Sequence, residues 1–144
     1  MRDLQLVGGD LFAAGRGFAT VTGADYVRQR VATALAEPYG SDPYHPDWGS
    51  GLDAWLGAPQ TADTQALIQA EAGRVLDQLA AVQQQLITNA ALAGTTSQLN
   101  ADDVIASVDS VTASAGAQPT SVRLQIALTT QGGQSLAVTR TVGA

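Results

Sequence analysis

Glu37 and Asp47 are the acidic residues of this sequence whose types and spacing could support acid–base chemistry. Glycoside hydrolysis uses two carboxyl groups held at a defined separation, so a glycan hydrolase that uses this pair is one hypothesis. Asp47, however, lies among prolines and glycines, where an aspartate commonly accepts a hydrogen bond within a turn. We therefore interpret Asp47 as a turn residue, predict no catalytic residue and keep the glycan hydrolase as the alternative.

His45 is the single histidine of the chain. Together with Asp42 and Asp47 it could offer one nitrogen and two oxygens to a cation. Proline at positions 43 and 46 restricts the backbone on both sides of it, which favours a structural role. We predict no metal site.

Glycines and cysteines give no sign of a cofactor. Gly8-Gly9, Gly15 and Gly17 do not join a strand to a helix with the spacing of a phosphate-binding loop. Cysteine is absent, which excludes disulfides and thiolate metal sites. We predict no cofactor.

The aromatic residues Tyr39, Tyr44, Trp48 and Trp55 lie close together in the sequence. They could form a platform for sugars or a small core that fastens a loop to the helices, and we favour the core. Prolines fix backbone angles and glycines allow turns that other residues resist, so residues 37–51 should form a rigid structural loop. Its predicted key residues are Pro38, Pro43, Pro46, Asp47, Trp48 and Gly49.

The charge of the chain argues against nucleic acid as a partner. The net charge is −6, all seven basic residues are arginine, and they form no cluster. No apolar run is long enough to cross a membrane, and the first residues do not resemble a secretory signal. We expect no membrane partner and a protein that stays in the cytoplasm until it is assembled.

The order of predicted elements is that of a single α+β domain over residues 1–144, with two main helices packed on a small antiparallel sheet. The N-terminal arm or short strand covers residues 1–22 and is interrupted at Gly8-Gly9. The helical part covers residues 24–93 and contains the rigid loop, and a β-meander covers residues 103–142.

The second helix carries apolar residues from Ile68 to Leu86 at helical spacing. We expect this stripe to pack on the domain's own sheet, although an adaptor that dimerises through it is a third hypothesis. Gly73 within the helix predicts a close backbone approach.

The last two strands alternate in a way that fixes their turn. A three-residue loop, Gln131-Gly132-Gly133, sets Leu128 opposite Leu136 and Ile126 opposite Val138, which keeps one face apolar. Val142 and Arg140 share that face. We expect residues 134–144 to be removable from a chain that still folds.

Two segments carry a family resemblance. Gly23 to Val31 and Leu35 to Leu52, with the run Pro46-Asp-Trp-Gly-Ser-Gly-Leu52, resemble the baseplate wedge proteins, or sheath initiators, of contractile phage tails and type VI secretion systems. The resemblance covers the first 57 residues well and the rest by element order. The family's Glu-Pro-Arg triplet after the long helix does not occur here, which favours a phage or phage-derived particle.

The resemblance implies a non-enzymatic structural protein of the virion tail baseplate, assembled in the host cytoplasm. Its partners would be the sheath protein, other wedge proteins and the inner hub or tube, with multiple copies in a ring around the tube. The C-terminal strands would start the sheath by β-strand augmentation. The residues predicted to bind the sheath strand are Val122, Leu124, Ile126, Leu128, Leu136, Val138 and Arg140.

Overall fold

The computed structural model of the chain describes residues 1–7, 10–14 and 17–143. These form an N-terminal arm of short strands, two long helices and a C-terminal three-stranded antiparallel sheet. The predicted α+β class is therefore confirmed. The predicted break at Gly8-Gly9 lies outside the described residues, as does Gly15.

The described residues of the N-terminal arm form six two-residue strands. They are β1 (Asp3–Leu4), β2 (Leu6–Val7), β3 (Asp10–Leu11), β4 (Ala13–Ala14), β5 (Gly17–Phe18) and β6 (Thr20–Val21). They pair as β1 with β6, β2 with β3 and β4 with β5, so the described part of the arm has three two-stranded leaves. We call residues 3–21 the three-leaf arm.

The leaves meet in a closed ring of backbone hydrogen bonds. Gln5 N–H donates to Ala19 at 2.8 Å, Ala19 N–H to Phe12 at 2.9 Å, and Phe12 N–H to Gln5 at 2.9 Å. The Gln29 side chain fastens the arm to the first helix, because it accepts from Leu6 N–H and donates to the Leu4 carbonyl. The arm is therefore held against the domain by its base.

The first helix, α1, spans Gly23–Ala36 and buries Val27, Val31 and Leu35 along one face. It ends where Glu37 takes an extended conformation, because the residue before a proline disfavours helical backbone angles. Its extent agrees with the sequence pattern.

The second helix, α2, spans Ala62–Leu92 and is capped by Thr61, whose side chain accepts from Thr64 N–H. Its apolar stripe packs on the domain's own helix and sheet, with Ile68, Val75 and Leu79 at most 3% exposed. The prediction is confirmed from Ile68 to Leu79, whereas Leu86, at the end of the predicted stripe, is 49% exposed. The prediction for Gly73 is wrong: apart from its own stretch of helix, no atom of the described residues lies within 4 Å of the position that a Cβ would occupy there.

The C-terminal sheet contains β7 (Ile105–Ala115), β8 (Val122–Thr130) and β9 (Ser135–Val142) in the order β7-β8-β9. β7 begins later than the predicted residue 103, because Ala101–Asp103 form a 3-10 turn whose capping box ties Asn100 to Asp103. The three-residue loop is confirmed: Leu128 pairs with Leu136 and Ile126 with Val138.

Both helices cover one face of this sheet. Alternate residues of β8 are buried against them, and the residues between them lie on the polar outer face. From β9, Leu136 and Val142 join the same core at 4% and 5% exposure. The expectation that residues 134–144 can be deleted is therefore wrong, since the deletion would remove core side chains and uncover β8.

Candidate functional site

The free edge of β9 is the most distinctive surface of the sheet. Thr130 N–H donates to the Gln134 carbonyl at 2.9 Å, which places alternate residues of β9 in hydrogen-bonded pairs with β8. By the same alternation the N–H and C=O groups of Ala137, Thr139 and Thr141 point away from the sheet. Among the backbone hydrogen bonds of the described residues, none involves these outward groups.

The β8–β9 pairing is regular along its whole length. Its register runs without interruption from Val122–Val142 to Thr129–Ser135. β9 contains no proline, lysine or acidic residue. A long and regular edge of this kind, without proline, lysine or an acidic residue, can pair with a strand from another molecule.

The opposite edge, β7, carries features that obstruct pairing. Its register with β8 shifts twice, between Ile105 and Ser107 and between Val108 and Ser110, and such bulges twist an edge away from a partner. On the outward side of β7, the Gln69 side chain accepts from Ala113 N–H at 3.3 Å. The two edges of one sheet are thus built differently.

An acidic residue adds to this obstruction. Asp109 on β7 accepts from the hydroxyls of Ser107 at 2.6 Å and Thr129 at 2.7 Å. These hydrogen bonds lower the pKa of the Asp109 carboxyl below its usual value. A charge held on an edge strand discourages pairing with another strand.

Most of the predicted strand-binding side chains lie in the core. Those at most 4% exposed are Val122, Leu124, Ile126, Leu128 and Leu136. Val138 and Arg140 are half-buried on the same face. A partner strand would therefore meet the backbone of β9, and the side chains of Val138 and Arg140, rather than the buried members of the set.

A groove of about 850 Å³ runs along the β9 edge. Its walls are the outer flank of α1, with Ala32 and Ala36, and the base of the three-leaf arm, with Gln5 and Leu6. Residues 137–140 of β9 form its third side. The groove gives an extended segment room beside the free edge.

The loop 37–51 is closed by its own backbone and by one side-chain bond. Pro38 and Ser50 form a parallel bridge, and the Trp48 indole N–H donates to Glu37 Oε2 at 2.7 Å. Gly49 has a φ of 105°, and a Cβ there would lie 2.5 Å from the Pro38 carbonyl oxygen. Of the predicted structural residues, Pro38, Trp48 and Gly49 therefore form the closure.

The other predicted loop residues lie at its exposed tip. Pro43 and Pro46 are exposed, as is Asp47, whose backbone carbonyl accepts from Gln78 Nε2 at 2.9 Å. Asp42 bonds His45 Nδ1 at 2.8 Å and accepts from Tyr44 N–H at 2.9 Å. Hydrogen bonds from His45 and Tyr44 lower the pKa of the Asp42 carboxyl.

Three polar residues of α2 hold this loop, and the sequence reasoning did not identify them. Glu71 Oε1 accepts from Gly51 N–H at 2.7 Å, and Arg74 donates to the Gly49 carbonyl at 2.8 Å. Gln78 completes the row through the bond to the Asp47 carbonyl. The available signal was the spacing of these residues along one helical flank. We call Glu71, Arg74 and Gln78 the α2 clamp.

The two carboxylates of the hydrolase hypothesis do not share the cleft that Glu37 lines. Glu37 lines a cleft of about 470 Å³ together with Asp42, His45 and Trp48, and Asp47 is not among its lining residues. The Glu37 carboxylate is bonded to Trp48. Within the described ranges, no group of three or more histidine, cysteine, aspartate or glutamate residues could hold a metal ion.

The aromatic residues do not form a shared platform. Tyr44 is 89% exposed, and Tyr39 lies under the Arg74 guanidinium, 5.4 Å from its ring centre. Trp48 and Trp55 pack against the core. The predicted small core is therefore confirmed for the two tryptophans and wrong for Tyr39 and Tyr44, which are 55% and 89% exposed.

No protein-family model matches the chain, and no curated protein matches it. No helix in the described part of the chain is long and apolar enough to cross a membrane.

Proposed function

We propose that this chain is a non-enzymatic structural component of a contractile-tail baseplate. In this role it starts sheath assembly by pairing the free edge of β9 with a strand of another subunit. The observation that carries the proposal is the contrast between the two sheet edges. β9 is regular and its outward groups are unbonded among the described residues, whereas β7 has two register shifts and a capped amide.

The mode of assembly follows from the same geometry. Backbone groups that repeat every second residue select an extended partner and fix its register without requiring a particular sequence. β9 acts as the acceptor rather than the donor, because Leu136 and Val142 anchor it in the core. Releasing β9 to donate it would expose both side chains.

The surroundings of the edge belong to the same proposal. The sheath protein supplies the strand, and other wedge, hub or tube proteins contact the remaining surfaces. Multiple copies form a ring around the tube in the virion. The resemblance of Gly23 to Leu52 to the sheath initiators supports these assignments.

Substitution of Thr139 by proline tests the proposal. Thr139 N–H points outward, so Thr139→Pro removes one donor for a partner and leaves the β8–β9 bonds in place. We expect a folded protein and assembled baseplates without an attached sheath, observed by electron microscopy of the particles. Thr139→Val is the matched control and should give sheathed particles, because it changes the side chain but keeps the N–H. Normal sheathed particles from a folded Thr139→Pro protein would contradict the proposal.

A further inference from the structure

Arg140 is a cation at the free edge of β9 that has no carboxylate partner in the described part of the chain. Its guanidinium donates to the Ala32 carbonyl at 3.1 Å, which uses one of its several N–H groups. The ion pairs among the described residues do not include it, and Asp25, in the same groove, is paired with Arg28 at 2.7 Å.

The environment of Arg140 is costly for an unpaired charge. The side chain is half-buried, and desolvation lowers the pKa of its guanidinium below the usual value. A nearby carboxylate would act in the opposite direction. Cations that leave water are normally paired or fully hydrogen-bonded in folded proteins.

Arg140 is also positioned to meet a residue of an added strand. Because it is hydrogen-bonded to β8, it would occupy a non-hydrogen-bonded position opposite an antiparallel partner, where Cα atoms are about 4.5 Å apart and side chains approach most closely. Its side chain lies on the face turned towards α1. There Ala32 and Ala36 line the groove with methyl groups only, which leaves room for a partner side chain.

We infer that the segment accepted by β9 carries an aspartate or glutamate on the face turned towards α1, and that its carboxylate pairs with Arg140. This inference rests on the strand-accepting function proposed above and adds the chemistry by which the partner is recognised. Arg140 is then a specificity-determining residue, whereas the backbone of β9 supplies the sequence-independent part of the binding.

Binding of model peptides to the full chain tests the inference. The probes are capped peptides of about nine residues with alternating valine and threonine. In the first set one valine is replaced by glutamate, in the second the same valine by glutamine, and in the third one threonine, on the opposite face, by glutamate. Each set places the replacement at every available position, so that no register is assumed. Binding is measured by NMR titration of the labelled protein.

We expect the first set to contain a peptide that binds about tenfold more tightly than its glutamine counterpart, with shifts at residues 137–141. The third set should show no such gain. In Arg140→Gln the preference for glutamate should disappear, whereas Arg140→Lys should keep part of it. Circular dichroism verifies that both variants fold, and added salt should weaken the preference in the unmodified protein.

Equal binding of the glutamate and glutamine peptides, or a preference that persists in Arg140→Gln, would overturn the inference and leave the proposed function standing. Absence of binding by every peptide would also overturn it. The fate of the proposed function would then be decided separately by sheath attachment in the Thr139→Pro particles.

Discussion

Asp103 joins three parts of the chain through one buried carboxylate. It accepts from the N-terminal ammonium of Met1, from Gly23 N–H at 2.7 Å and from Asn100 N–H at 2.9 Å. Asp103 is 0% exposed. Burial raises the pKa of the Asp103 carboxyl, but the hydrogen bonds to its charged form outweigh burial and leave the pKa lowered.

The sign of this shift predicts a dependence of stability on pH. A carboxyl whose pKa is lower in the folded state stabilises the protein above its unfolded pKa, about 3.9, and this contribution is lost as the pH falls through the folded pKa. Asp103→Asn should therefore lower the free energy of unfolding by about 2–3 kcal/mol at neutral pH. The difference in the free energy of unfolding between the variant and the unmodified protein should shrink below about pH 4. Urea denaturation of both proteins at neutral and acidic pH measures this, and a difference that is unchanged by pH would contradict it.

At the scale of secondary-structure elements, the α2 clamp holds the 37–51 loop in position against α2. Arg74 bonds the Gly49 carbonyl and Glu71 and also covers the Tyr39 ring. The hydrogen bond from Arg74 is the largest cause of the lowered pKa of the Glu71 carboxyl. The chain contains only two glutamates, and both serve this loop, Glu71 through Gly51 and Glu37 through Trp48.

Arg74→Ala should loosen the loop and leave α1 intact. We expect amide hydrogen exchange to increase about tenfold at residues 39–51 and to stay unchanged at 27–35. Arg28→Ala is the matched control, because Arg28 forms an exposed ion pair with Asp25 three residues away on one helix, and such a pair contributes about 0.5 kcal/mol or less. Equal exchange in the two variants would show that the clamp does not hold the loop.

The elements differ in how far the sequence predicted them, for physical reasons. The α2 stripe and the β8–β9 register were predictable because burial of one face imposes a period. The α2 clamp was not, since Glu71 and Arg74 read as ordinary polar residues on a solvated flank until the loop is folded against them. An N-terminal arm was predicted, but its three leaves were missed because their signal is a seven-residue spacing of Gln5, Phe12 and Ala19, which is neither a strand nor a helix period.

The candidate site was predicted only in part. The choice of the last hairpin followed from the family resemblance. The alternating apolar residues predicted to bind the partner, such as Leu124 and Leu128, are core residues. What distinguishes β9 is that its outward-pointing N–H and C=O groups have no partner among the described residues. The pattern of side chains along a sequence does not reveal which backbone groups remain unbonded, so this feature could not be predicted. The half-buried position of Arg140 likewise depends on the packing of α1 beside the strand.

At the scale of the whole molecule, the buried stripe of α2 decides between a monomer and a dimer. Ile68, Val75 and Leu79 are already buried against the chain's own core. A dimer formed through this stripe would have to uncover that core, which argues against the adaptor hypothesis. The isolated chain should therefore be a monomer.

Light scattering should give the monomer mass of 14.7 kDa, and the Tm should not depend on protein concentration. If a dimer is found, Thr139→Pro distinguishes its origin. Loss of the dimer in that variant would assign it to the β9 edge, whereas its persistence would assign it to another surface and contradict the monomer prediction.

The bonding at the base of the three-leaf arm has a consequence for how the arm comes apart. The links among Gln5, Phe12 and Ala19 form a cycle in which each residue is both donor and acceptor. Opening any one of these hydrogen bonds leaves one N–H and one carbonyl without a partner and weakens the attachment of two leaves at once. We therefore expect the leaves to melt together as one cooperative unit rather than one after another.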